Sequence, residues 1–100
     1  MREYELYVPL RGNDGRAVPR RLGRLRRQLV EEFGGLTHFP QQNEGFWKIG
    51  SFTFRDKIVI LRVLSDDPGA EVFLRQLKEN LKKEWDQKDI LIVIREVCLL

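Results

Sequence analysis

His38 is the only histidine in the chain, and its imidazole is the one side chain here whose ordinary pKa makes proton transfer near neutral pH easy. Thr37 and Glu44 lie close to it in sequence, and Trp47, Arg55 and Asp56 follow across a predicted hairpin. An aromatic wall with one histidine and one arginine suits a small carboxylate or phosphate, so His38, Trp47 and Arg55 are the candidate ligand-binding residues. The same three residues would serve a small enzyme, which is the alternative to a binding module. The competing reading makes His38 an exposed edge-strand residue and Trp47 part of the core, with no site between them.

Other chemistry finds little support. One histidine and one distant cysteine, Cys98, make a catalytic metal site a poor expectation, because His and Cys are the usual zinc ligands. No catalytic residue is assigned: Ser51 and Ser65 both fall in predicted turns, and Cys98 has no histidine near it in sequence. Gly12-Asn13-Asp14-Gly15 precedes a helix but lacks both the phosphate-loop ending and the dinucleotide spacing. No cofactor is expected.

Charge is unevenly placed. Residues 11–27 hold seven arginines against the single acid Asp14, a local charge of +6 that leaves −3 on the rest of a chain whose total is +3. Such asymmetry can attract nucleic acid, acidic protein or a phosphorylated ligand, although a solvated helix face is the plainer explanation. Arg20, Arg24 and Arg27 share one helical stripe and are the candidate phosphate contacts. Glu31 and Glu32 break that stripe, and no strand carries the aromatic pattern on which RNA-recognition domains stack bases, so nucleic acid is disfavoured.

The elements that must position these residues are readable from hydrophobic period. Tyr4, Leu6, Val8 and Leu10 alternate with Glu3, Glu5 and Tyr7, which predicts a strand over 3–10. A turn over 11–16 follows. Val18, Leu22, Leu25, Leu29 and Phe33 recur at helical spacing over 17–33, and Gly34-Gly35 ends the helix. A short strand at 36–39 meets Pro40, polar residues follow, and strand character resumes at 45–49. Gly50-Ser51 reads as a two-residue hairpin turn into a long strand over 52–64. Asp67 as N-cap and Pro68 at the first helical position open a second helix running to about Trp85, with an apolar stripe through Ala70, Phe73, Leu74, Leu77 and Leu81. Residues 89–98 form the last strand. The order β-α-β-β-α-β predicts an α+β, two-layer ferredoxin-like sandwich: one domain over 1–100, an antiparallel sheet in the order 4-1-3-2, and both helices on one face.

That fold leaves the other sheet face uncovered, where a monomer should be polar. Yet Ile58 and Ile60, and Leu91 and Val93, are apolar on the side that cannot reach the helices. Leaving four such side chains wet forgoes roughly 1.5–3 kcal/mol apiece. A second copy of the chain is the simplest cover, giving a homodimer through the open sheet face. An apolar ligand, or Leu99-Leu100 folded over the edge, are the alternatives.

Composition sets the outer limits. An apolar share of 42% and a charged share of 33% in 100 residues exclude a disordered or collagen-like chain. No apolar run nears the ~20 residues of a membrane span, Arg2, Glu3 and Glu5 interrupt anything like a signal peptide, and a lone cysteine fits a reducing cytoplasm. The runs Val8-Pro-Leu-Arg-Gly-Asn-Asp-Gly-Arg, Glu32-Phe-Gly-Gly-Leu-Thr, Glu44-Gly-Phe-Trp-Lys, Phe54-Arg-Asp-Lys-Ile-Val and Ile94-Arg-Glu-Val span nearly the whole chain. In these it resembles a group of short bacterial proteins with no assigned activity. The resemblance implies a bacterial, cytoplasmic, single-domain protein and carries over no functional residues.

Overall fold

The computed structural model describes residues 1–10, 19–87 and 89–100. The turn expected over 11–16, and Val18, lie outside them. Among the described residues the elements run β1 (Arg2–Pro9), α1 (Pro19–Phe33), β2 (Thr37–Ile49), β3 (Phe52–Ser65), α2 (Ala70–Glu84) and β4 (Ile92–Glu96). The strands form one antiparallel sheet in the order β2-β3-β1-β4, the ferredoxin-like arrangement.

Each boundary has a local cause. Gly34 adopts a left-handed φ of 76°, and its N–H donates to Val30 O at 2.8 Å, which closes α1. Gly50 has φ 61° at the first central position of the turn that pairs Ile49 with Phe52, a backbone setting that costs a side-chain-bearing residue energy. Before α2 the Asp67 carboxylate accepts from Gly69 N at 2.8 Å, so Pro68-Gly69 form a turn and the helix proper starts at Ala70, two residues later than expected. β4 is shorter than the predicted 89–98 because its partner runs out. Arg2 faces Glu96 at one end, where the register leaves only Met1 to accept from Val97 N. At the other end Tyr7 N donates to Leu91 O, and the next N–H that the ladder needs would come from Pro9, which has none.

β2 departs furthest from expectation. The two pieces join into one strand, and Pro40 sits in an irregularity within it. Phe39 pairs with Ile60 and Asn43 with Ile58, so three β2 residues oppose one on β3. The insertion adds an even number of residues and therefore preserves which side chains face which side of the sheet.

The core lies between the helices and one sheet face. Tyr4, Leu6 and Val8 of β1, Val59, Leu61 and Val63 of β3, Leu25 and Leu29 of α1, and Leu74, Leu77 and Leu81 of α2 pack there with Trp85 and Ile90. Trp85, just past α2, is the largest fully buried side chain. Leu22 and Phe33 flank the core half-buried, and the Phe33 ring meets Phe73 edge-on with centroids 5.7 Å apart. The domain measures 43 × 28 × 25 Å. Among the described residues, no helix is long and apolar enough to cross a membrane.

Candidate functional site

The register assigns Glu3, Glu5 and Tyr7 of β1, Phe39 of β2, Ile58, Ile60, Arg62 and Leu64 of β3, and Val93 and Arg95 of β4 to the open face. This face is apolar only in part. At the β4 end, Arg62 lies across both β1 carboxylates: one Nη donates to Glu5 Oε1 at 2.8 Å, and Nε lies against Glu3. Arg95 reaches the other oxygen of Glu5 at 3.1 Å, and Tyr7 O–H donates to it at 3.4 Å. The Phe39 ring supports Arg62 from beneath, 4.8 Å from Cζ. Glu5 is consequently only 7% exposed although it stands on the uncovered face. The Arg62 hydrogen bond, opposed by burial and aided by Arg95, holds the Glu5 carboxyl at about 2, well below its ordinary 4.5. Two acids and two arginines cancel, so this end of the face carries no net charge.

Beyond the cluster the face carries Ile60 and Ile58, which contrary to expectation is only 7% exposed; Asn43 and Asp56 interrupt it before it becomes apolar again on the β2–β3 hairpin. Trp47 pairs with Phe54 and Ile49 with Phe52, all on the same side as Ile58 and Ile60. Phe52 is 70% exposed, and Phe54, Ile49 and Trp47 are exposed as well. The Trp47 indole folds back over Gly45, where an added Cβ would lie 3.4 Å from Nε1. Leu99 and Leu100 are exposed at the C-terminus and are not packed into the core, against the alternative in which they fold over the sheet edge.

The candidate trio His38, Trp47 and Arg55 is not brought together. His38 pairs with Leu61 and so faces the helix side, whereas Trp47 faces the open side. Arg55 is on the helix side but lies six β3 residues from Leu61, roughly 20 Å at strand rise. Arg55 pairs instead with Glu44, and Trp47 is an exposed residue of the hairpin rather than a core residue. Alternation along two long strands separates residues that look adjacent in sequence.

His38 has a different partner, which sequence distance concealed. Arg26 Nη1 donates to His38 Nδ1 at 3.2 Å. Arginine has only donors, so Nδ1 must be the acceptor and the ring is neutral, with its proton on Nε2. Burial, followed by the charge of Arg26, lowers the His38 pKa below 6.5. Nε2 is buried and has no hydrogen-bond partner among the described residues. With one nitrogen engaged and the other shielded, this ring is badly placed to act as a general base.

Arg20, Arg24 and Arg27 are all exposed on α1, and the Arg27 guanidinium leans toward Gly23, away from the stripe it was expected to share with Arg20 and Arg24. The arginines elsewhere behave differently. Arg2, Arg55, Arg62, Arg75 and Arg95 all hold a carboxylate. Arg20, Arg21, Arg24, Arg26 and Arg27 hold none among the described residues. Nor, among those residues, do three His, Cys, Asp or Glu side chains gather as a metal would require. No family model matches the chain, and no curated protein matches it closely enough to bring a function with it.

Proposed function

We propose that the chain is a binding module that works as a homodimer, with two copies packed through their open sheet faces. The observation that carries this reading is the cluster of exposed apolar side chains Trp47, Ile49, Phe52 and Phe54 on the open side of the β2–β3 hairpin, set on the same sheet face as Ile60 and Leu91. Clustered exposed aromatic and aliphatic side chains of this kind mark surfaces that bind a partner or ligand. Charge favours a second copy as the occupant. The Glu3, Glu5, Arg62 and Arg95 cluster on this face is neutral overall, so it opposes the approach of a second copy with no net charge. The basic α1 helices lie on the opposite side of the sheet and would end up on the outside of the pair, farthest apart. Two sheets stacked about 10 Å apart would bury the exposed Leu91 and the hairpin side chains Trp47, Ile49, Phe52 and Phe54, whereas Ile58 is already sheltered within the single chain.

The single cysteine fits a reducing cytoplasm, and the likeness to short bacterial proteins supports a bacterial setting. Light scattering on the eluting protein tests the reading. A dimer that Phe54→Glu converts to a folded monomer supports it, and a monomeric parent protein removes it.

A further inference from the structure

The side of α1 nearest the start of β2 carries a groove of about 480 Å3 lined by Gly23, Arg26, Arg27, Val30, Glu31 and Leu36. Gly23 is unexpected there, because glycine costs about 1 kcal/mol against alanine inside a helix. Its geometry gives it a use. A Cβ built on Gly23 would lie 3.9 Å from Arg27 Nη1 and 4.0 Å from Arg26 Nη2, so both guanidinium groups converge over the one lining position without a side chain. Arg27 leans back toward the helix N-terminus, the usual direction for a helical side chain, and makes no ion pair with Glu31 one turn on. Arg26 is steadied from behind by its hydrogen bond to His38 Nδ1. Two like charges thus sit side by side with no carboxylate partner among the described residues.

We propose that this groove binds an organic phosphate monoester, with the phosphoryl group over Gly23 between Arg26 and Arg27 and the organic body along Val30 and Leu36. A phosphate dianion matches two guanidinium groups in charge, and its three terminal oxygens can accept from both forks at once. The bare Cα of Gly23 lets the anion approach the helix closely. Val30 lies two turns further on, about 10 Å along the axis, which is the length of a ring-sized apolar body. Glu31 stands beside that far end and repels a second anionic group there, so a monophosphate is preferred to a molecule charged at both ends. The groove is on the helix side of the sheet, and the proposal stands independently of the dimer.

The experiment is a titration of the full chain with phenyl phosphate, followed through backbone amide and arginine side-chain NMR signals. Saturable shifts are expected at Gly23, Arg26, Arg27, Val30 and Leu36 by about 10 mM ligand, the weak range natural to a shallow site. Phenol should give none, and inorganic phosphate should bind more weakly than phenyl phosphate. Arg26→Gln and Arg27→Gln should each weaken binding about tenfold or more, the worth of a charge-assisted hydrogen bond. Arg20→Gln and Arg24→Gln, on the outer stripe, should change it less than about twofold. Gly23→Leu should abolish binding while improving helix propensity, with the dispersion of the spectrum reporting that the fold is kept. Absence of saturable shifts, or equal losses from all four arginine variants, would overturn the proposal. Inorganic phosphate binding as tightly as phenyl phosphate would likewise overturn it, because Val30 and Leu36 would then contribute nothing.

Discussion

Replacing Glu5 with Gln removes the acid at the centre of the open-face ion-pair cluster while keeping its shape. The Glu5 carboxyl titrates at about 2 in the folded protein against an ordinary 4.5. Converted directly, a difference of that size is about 3 kcal/mol. The guanidinium partners are partly wet, Arg62 at 37% and Arg95 at 50% side-chain exposure, so screening reduces the contribution to about 1–2 kcal/mol. The sign follows from proton binding: between the two pKa values the unfolded chain holds the proton and the folded chain does not. The stabilisation is therefore complete above pH 4.5 and disappears as the pH falls through about 2. Urea unfolding of the parent protein and of Glu5→Gln, at matched concentration from neutral pH down to 2, reads this directly. The parent should be more stable by about 1–2 kcal/mol at neutral pH, and the difference should shrink toward zero at the acid end. A gap that is constant across the range, or no gap at neutral pH, would refute the electrostatic account of this face.

Further outcomes follow from other parts of the molecule. The His38 ring should titrate below 6.5, and because its folded pKa is depressed, stability should fall as the pH drops through that region. His38→Asn should flatten this slope, as thermal melts across the range would show. Leu29→Ala, at a site with no solvent exposure between α1 and the sheet, should cost about 2–5 kcal/mol in denaturant unfolding. A loss of only a few tenths would contradict the placement of α1.

The fold was legible because its signals are local. Leu25 and Leu29 declare the buried face of α1 by spacing alone, and Gly50 and Gly34 mark positions where the chain must take a positive φ. Strand ends were less legible, since β4 stops where β1 runs out of partners, which is a property of register and not of its own residues. The site was the least legible part. His38, Trp47 and Arg55 look like one constellation when read along the chain, but sheet alternation puts the indole on the opposite face, and Arg55 lies far along β3. The Arg26–His38 hydrogen bond joins a helix to the edge strand beside it, and no spacing rule reaches across that gap. The alternation of Glu3 and Glu5 with Tyr4 and Leu6 did place two acids on the open face. Arg62 and Arg95 could have been found by pairing the central strands in the predicted sheet order.

Sedimentation equilibrium of the untagged protein from about 1 to 100 μM tests the central claim most directly. Face-to-face packing predicts a mass near twice the 11.9 kDa chain, with Phe54→Glu and Phe52→Glu sedimenting as folded single chains. A parent protein that stays at 11.9 kDa throughout, or variants on the apolar face that remain fully dimeric, would contradict it.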